Sequence, residues 1–358
     1  MKLDEARQKT RELVDEYFEV RNLDPKDRLT TLAVTPKSKE HLGVGYARVD
    51  DDRYGIEVRL RREGGKAAKF ADKLRHRYGD SISVSTVERV QIPSQVRAQD
   101  SGEGTASDFA KFVRPLSIGL SVAHRDALAG SAGLFVEFED GEYRGRHGVI
   151  SNSHVLALSG RAKQGDPIFQ PGRPDAKPLA NSHRVGTLVD FTILSPNGAQ
   201  ELDAAVAVLD ADLDRKIANL IPKDVRGCAD CGKPISGVVE PESLGPRATV
   251  CKVGRTTAWT RGSVTAVGVD NLPVFSPHLR RNLRFDNVFE ITWTSLEEVF
   301  SGPGDSGSLV YDPVTMCAIG LVFAGGIREV DGKRLGVSYA CNLSSILRAF
   351  KLRMISER

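Results

Sequence analysis

The stretch Phe300-Ser301-Gly302-Pro303-Gly304-Asp305-Ser306-Gly307-Ser308-Leu309-Val310 decides how the rest of this chain is to be read. Three glycines and a proline between Gly302 and Gly307 make a tight loop that cannot continue a strand. Apolar residues flank it, Val299-Phe300 before and Leu309-Val310-Tyr311 after, which places the loop at the rim of β structure. A serine held there exposes its Oγ, and the glycines let main-chain N–H groups converge beside it. An acyl-transfer nucleophile needs that combination. An ordinary hairpin loop would draw on the same turn-forming residues.

Two upstream stretches bear on the choice. Gly148-Val149-Ile150-Ser151-Asn152-Ser153-His154-Val155-Leu156 reads as an apolar strand running into a small polar turn that carries His154. Glu201-Leu202-Asp203-Ala204-Ala205-Val206-Ala207-Val208-Leu209 sets Asp203 just ahead of a continuous apolar run, at the edge of a buried strand. His147 precedes its strand, and neither Asp190 nor Asp210 stands just before a buried one, so these rivals fit less well. The order His154, Asp203, Ser306 is that of chymotrypsin-like proteases. An α/β-hydrolase needs its histidine after the serine and a G-x-S-x-G elbow. All 7 histidines precede Ser306, and Ser308 takes the elbow's last position, so that class is excluded.

From Val113 onward the chain resembles a trypsin-like serine peptidase, more specifically the bacterial relatives of the plant narrow-leaf protein group. The resemblance is carried by Ile150–Ala157, Gly165-Asp166-Pro167-Ile168-Phe169-Gln170-Pro171-Gly172, Leu202–Ala207, Lys252-Val253-Gly254-Arg255-Thr256-Thr257 and Gly302–Ser308. Leu42-Gly43-Val44-Gly45-Tyr46 and Tyr54–Leu60 resemble the segment preceding the protease in that group. The resemblance implies a serine endopeptidase in which Ser306 attacks a peptide carbonyl, His154 takes its proton and Asp203 orients the imidazole. It implies an oxyanion hole from the N–H groups of Gly304 and Ser306, and a substrate pocket with Phe300 at its base and Phe323 and Gly325 on its other wall. Phe300 stands where an acid would select basic side chains. The family's activating N-terminus has no counterpart, so Asp305 needs another partner. A catalytically silent, protease-derived interaction module is the second reading. A peptidase gated by a partner or by self-assembly is the third.

The whole-chain balance, 358 residues with a net charge of +3, gives no reason to expect nucleic acid or a membrane. The charged start Met1-Lys2-Leu3-Asp4-Glu5-Ala6-Arg7 lacks a signal-peptide core, and 5 cysteines is an odd count, so a reduced, cytoplasmic setting is expected. Cys228-Ala229-Asp230-Cys231 has no second ligand pair, so it is read as a loop; no metal or cofactor is expected.

The expected fold class is mainly β, a chymotrypsin-like double antiparallel β-barrel with a C-terminal helix, preceded by an N-terminal helix and a small α+β domain. The domain division runs 1–95, a polar linker over 96–112, and the peptidase over 113–358. Its barrels would span about 113–227 and 232–342, with the terminal helix over 343–355. Short apolar runs mark the strands: Leu134–Phe138, His147–Ile150, Val185–Val189, Ala204–Leu209, Ala248–Val253, Ser263–Val269, Val288–Thr292, Ser308–Tyr311 and Ala318–Phe323. In the N-terminal region, Leu3, Ala6, Leu13, Val14, Tyr17 and Phe18 fall at helical spacing. Strand-like pieces follow at Leu32–Val34, Leu42–Val49, Tyr54–Leu60 and Ser81–Ile92, with a helix over Ala67–His76. Arg59, Arg61, Arg62, Lys66, Lys69, Lys73, Arg75 and Arg77 make this unit locally basic, either a docking surface or a solvated helix face. Residues 1–95 are therefore the expected place for self-association or a regulatory protein partner.

Overall fold

The computed structural model describes the chain except for residues 25, 27, 29–40, 62–64, 94–107, 177, 214–216, 224, 331 and 356–358. The expected Leu32–Val34 piece, Arg62, and most of the polar linker lie outside the described residues.

The chain adopts the expected mainly-β class, with two large sheets. The first runs in the order Leu352–Met354, Leu134–Phe138, His147–Ser151, Ala205–Leu209, Arg184–Phe191, Pro167–Phe169, Ser121–His124, Gly130–Ser131. It curls as a half-barrel around Leu134, Val136, Ile150, Val206 and Leu209, all buried. Ala205–Leu209 is buried at every position because it is covered on both faces, hence its unbroken apolar sequence.

Six strands of the second sheet close on themselves. Thr249–Gly254 pairs with Ala258–Asp270, which pairs with Val288–Trp293. The ring continues through Lys333–Asn342 and Cys317–Val330 to Leu309–Asp312, which pairs back onto Thr249–Gly254. All six contacts are antiparallel. The loop Gly302–Ser308 enters this barrel just before Leu309–Asp312, so Ser306 sits at its rim.

The N-terminal region does not stand apart from the second barrel. Tyr54–Leu60, the helix Gly65–Tyr78 and the parallel strand Ile82–Val87 form a βαβ unit. Leu42–Arg48 pairs with Tyr54–Leu60 on one side and with the barrel strand Ala258–Asp270 on the other. The helix Leu3–Val20 lays Ala6, Leu13, Val14, Tyr17 and Phe18 on this sheet, so its apolar stripe is covered by the chain itself. One core joins these side chains to Phe289, Ile291, Val310 and Ile319 of the barrel.

A buried ion cluster crosses the same boundary. Glu290 accepts Arg59 Nε and Nη2 at 2.9 Å each, Arg328 Nη1 at 2.6 Å, Tyr339 Oη at 2.7 Å and Thr265 Oγ1 at 2.8 Å. Burial pushes the Glu290 carboxyl up, but the two guanidinium groups outweigh it and hold the group far below the usual carboxylate range. Arg59 is thus a core residue, while Arg75 and Arg77 pair with Asp72 and Glu16. Of the basic run, Arg59 alone is buried among the described residues, while Lys66, Lys69, Lys73, Arg75 and Arg77 stay exposed.

The terminal helix is shorter than expected, Leu343–Ala349. Lys351 then takes φ 52°, and Leu352–Met354 adds a strand to the first sheet beside Leu134–Phe138. The buried, exposed, half-buried pattern of Leu352, Arg353 and Met354 suits a strand of period two better than another helical turn. No described helix is long and apolar enough to cross a membrane.

Candidate active site

His154 lies in a single helical turn, Ser153–Leu156, at the exit of the strand His147–Ser151. Asp203 precedes the adjacent strand Ala205–Leu209, which pairs Ala205 with Ser151, and so both side chains leave the same end of the first sheet. His154 Nδ1 meets Asp203 Oδ2 at 2.6 Å, and the His154 N–H donates to Asp203 Oδ1 at 3.1 Å. Asn152 Nδ2 donates to the Asp203 carbonyl at 2.7 Å, and the Asp203 N–H points to Cys341 Sγ at 3.3 Å. Asp203 is fully buried. An aspartate in that position fixes the ring and leaves Nε2 directed to the cleft.

The second barrel supplies the serine. Gly304 and Gly307 have φ of 103° and 88°, which a side chain would resist. Space forbids one as well: a Cβ on Gly307 would stand 2.0 Å from Ser151 Oγ, and one on Gly304 would stand 2.3 Å from Thr256 Oγ1. The first sheet braces the loop through Ser131, whose N–H donates to the Ser306 carbonyl at 2.7 Å and whose Oγ donates to the Gly304 carbonyl at 3.0 Å. Gly307 N–H donates to the Val322 carbonyl at 2.8 Å. Among the described residues, no acceptor takes the N–H of Gly304 or Ser306.

Asp305 has found its partner. Its Oδ1 accepts the N–H groups of Thr256 and Thr257 at 2.9 and 3.1 Å. Its Oδ2 accepts Thr257 Oγ1 at 2.7 Å and the Gly302 N–H at 2.8 Å. Lys252 Nζ lies 3.6 Å away, with both side chains fully buried. Burial pushes the Lys252 ammonium down and the Asp305 carboxylate opposes that shift. The motif Lys252–Thr257 therefore supplies the cation and donors that seat the loop Gly302–Ser308. Next to it, Arg255 forms an ion pair with Asp175 of the first sheet's loops, Nε to Oδ2 at 2.9 Å.

His154, Ser306 and Gly304 line one cleft with Pro93, Leu128, Ala129, Val155, His278 and Pro303. His154 and Ser306 are not hydrogen-bonded in this arrangement; such bonds are often long until substrate is bound. The pocket expectation meets a different arrangement. Phe300 does not line the cleft; its ring is fully buried in the core shared with the N-terminal helices, and only its carbonyl faces polar groups, accepting Thr260 Oγ1 at 2.6 Å. Apolar neighbours such as Ile291 take up the ring, so it has no reason to turn toward water. Phe323 is likewise interior, stacked on Phe285 with ring centroids 4.6 Å apart. Gly325 lies on the strand Cys317–Val330, where Gln91 pairs with it.

His278 was not singled out by pattern, since it follows a proline in a connection between two strands. Burial pushes its imidazole down, and nearby His154 adds to the shift. Among the described residues, no group of three or more His, Cys, Asp or Glu side chains is placed to hold a metal ion.

No family model matches the sequence, and comparison with curated proteins gives no match. The motif resemblance to the narrow-leaf group thus has no family model behind it. Solved structures that resemble this chain are chymotrypsin-fold bacterial serine proteases. One is the Nocardiopsis protease NAPase, with 18% identity and a TM-score of 0.44, covering 67% of this chain and 100% of that one. A second is the Cellulomonas bogoriensis chymotrypsin, with 20% identity and a TM-score of 0.44 over 68% of this chain and 100% of that one. A third, Thermobifida fusca protease A, has 15% identity and a TM-score of 0.43 over 68% of this chain and 100% of that one.

Proposed function

We propose that the chain is a serine endopeptidase acting on proteins or peptides. The observation that carries this reading is the 2.6 Å contact between His154 Nδ1 and a fully buried Asp203, in a cleft shared with Ser306 and the free amides of its glycine loop. Ser306 Oγ attacks the carbonyl as His154 Nε2 takes its proton, and the imidazolium that forms is stabilised by Asp203. The oxygen, now negative, receives hydrogen bonds from the Gly304 and Ser306 N–H groups. His154 then returns the proton to the departing amine, and water repeats the cycle on the acyl-enzyme.

The test is labelling by a small fluorophosphonate. Wild type takes one label at Ser306, while Ser306→Ala and His154→Ala, both folded by circular dichroism, take none. Labelling that persists in Ser306→Ala assigns the chemistry elsewhere. A silent module is the second reading, and the missing Ser306–His154 hydrogen bond is the observation on its side. A folded wild-type protein that resists the probe would favour it.

A further inference from the structure

The chain passes its own N-terminal region along the edge of the cleft, and the direction of that passage matters. The strand Cys317–Val330 has two sides. One pairs along its length with Lys333–Asn342. The other is covered by Leu309–Asp312 only as far as Leu321. Beyond Val322, which accepts the Gly307 N–H beside Ser306, Leu309–Asp312 leaves that second side to other partners, and it leads away from Ser306. An extended peptide can add to such an edge by main-chain hydrogen bonds.

Residues 86–93 already do so. Thr86 pairs with Glu329, Val87 with Arg328 and Gln91 with Gly325, all antiparallel. The Glu88 N–H donates to the Ile327 carbonyl at 2.7 Å. Because the pairing is antiparallel, the segment runs toward Ser306 as its numbers rise, and Pro93 ends in the cleft beside His154, Gly304 and Ser306. On the peptidase reading, a substrate whose acyl side added antiparallel to this edge would reach Ser306 in this same direction. The other side of the segment is also held. The Ile92 N–H donates to the Phe275 carbonyl at 2.9 Å, and the Arg89 guanidinium lies 3.5 Å over the Phe275 ring. Val87, Val90 and Ile92 are buried, and Glu88 reaches Arg334 at 2.7 Å.

We infer that residues 86–93 are a built-in occupant of the peptide groove, holding the site closed to extended substrates until they are displaced. The inference rests on the peptidase reading for its consequence, though the occupancy itself does not. It also names a ligand chemistry: an extended peptide with aliphatic side chains at the places held by Val90 and Ile92. The occupant is bound as a strand between two partners, so anything that removes it must offer the edge a replacement or break its hydrogen bonds.

The experiment uses the full chain and two variants. Glu88→Pro removes the donor to Ile327 at an exposed position, and Ile92→Asp puts a carboxylate where a buried aliphatic side chain sits. Three readouts are taken: amide hydrogen exchange, anisotropy of a dye-labelled decapeptide matching residues 84–93, and turnover of a quenched peptide library alongside small fluorophosphonate labelling. In the folded variants, exchange at residues 325–328 should speed by about a hundredfold. The decapeptide should bind the variants and not wild type, and a decapeptide carrying the Ile92→Asp change should bind at least tenfold more weakly. Library turnover should rise at least tenfold while labelling changes less than threefold.

A variant whose segment is released by exchange, but which neither binds the decapeptide nor gains turnover, overturns the inference. So does decapeptide binding to wild type as strong as to the variants. If labelling and turnover are absent throughout while the decapeptide binds only the variants, the occupied groove stands and the peptidase reading falls.

Discussion

Replacing Lys252 by methionine tests how the nucleophile loop is held. The change keeps most of the side chain's volume and removes the one cation placed within 4 Å of Asp305 among the described residues. At the observed 3.6 Å and an effective dielectric near 20, that pair is worth about 5 kcal/mol of Coulomb energy. Breaking a buried pair by deleting one partner costs roughly 3–5 kcal/mol. Asp305 keeps its four donors, from Thr256, Thr257 and Gly302, which places the expected loss near the lower end, at about 3 kcal/mol. Spread over 358 residues at about 2.1 cal/mol/K each, that lowers Tm by roughly 4 °C.

The loss falls on the segment that aims the Gly304 and Ser306 amides. An oxyanion donor is worth about 2.7–4 kcal/mol, so partial misplacement should slow fluorophosphonate labelling by roughly tenfold or more. Calorimetry and labelling rates are compared with those of Lys252→Met combined with Asp305→Asn. Asparagine keeps an acceptor for the threonine amides without a buried charge, so the pair of changes should recover at least half the lost stability. A single variant that melts within 2 °C of wild type and labels at the wild-type rate would refute the argument. So would a double variant less stable than Lys252→Met.

Four further outcomes are expected. Glu290→Gln leaves Arg328 buried without a counterion and Arg59 with Glu57 alone, which should cost roughly 3–5 kcal/mol by denaturant unfolding. Phe300→Ala should behave as a core truncation costing roughly 3–5 kcal/mol, with the cleavage preferences in a peptide profile unchanged. Burial pushes His41 down to about 3, so the folded state stays neutral where the unfolded chain takes up a proton. Its contribution is therefore lost as pH falls from about 6.5 toward 3, and the acid limb of a Tm–pH curve should flatten in His41→Gln. Asp270 is pushed up to about 7 by burial and by Asp286, so its folded form binds the extra proton and stability declines as pH rises from about 4 to 7. The Tm of Asp270→Asn relative to wild type should accordingly increase over that interval.

The strands of the barrels were legible because their burial is written in period and composition. Leu134–Phe138 is found with the expected bounds, and the runs at 147, 185, 204, 248 and 288 are found within a residue or two. The helix Leu3–Val20 was equally plain from its stripe. Long strands were seen only in part. Cys317–Val330 continues seven residues past its apolar run, through Ala324-Gly325-Gly326 and then Arg328, because its second half is paired on both sides by polar-rich partners. Lys333–Asn342 begins with charged residues that lie beyond the barrel's core and was missed for that reason. At the site, the spacing of His154, Asp203 and Ser306 was readable from order and local context. Lys252 falls within a recognisable motif, but its role depends on meeting Asp305 across a distance in sequence that no local pattern spans. The side taken by the Phe300 ring was not legible either: loop residues carry no periodicity, so its burial is decided by the apolar neighbours that Ile291 and the N-terminal core provide.

The composition break after Ile92 explains why the N-terminal region reads as separable, and the pairing explains why it does not behave so. A polar, glycine- and serine-rich stretch is a linker by chemistry. What precedes it is nevertheless hydrogen-bonded to the second barrel at two places, through Leu42–Arg48 on the strand Ala258–Asp270 and through residues 86–91 on Cys317–Val330. The two attachments differ in kind. The first is backed by the shared apolar core and by Arg59 on Glu290, so breaking it exposes Phe18, Phe70 and Phe289 together. The second rests on a few main-chain bonds, the side chains of Val87, Val90 and Ile92, and a single exposed ion pair. Local opening should therefore begin at residues 86–93 while the sheet behind them stays paired. The weaker attachment is the one that runs to the nucleophile, so the groove can open without the loss of the barrel that holds Ser306.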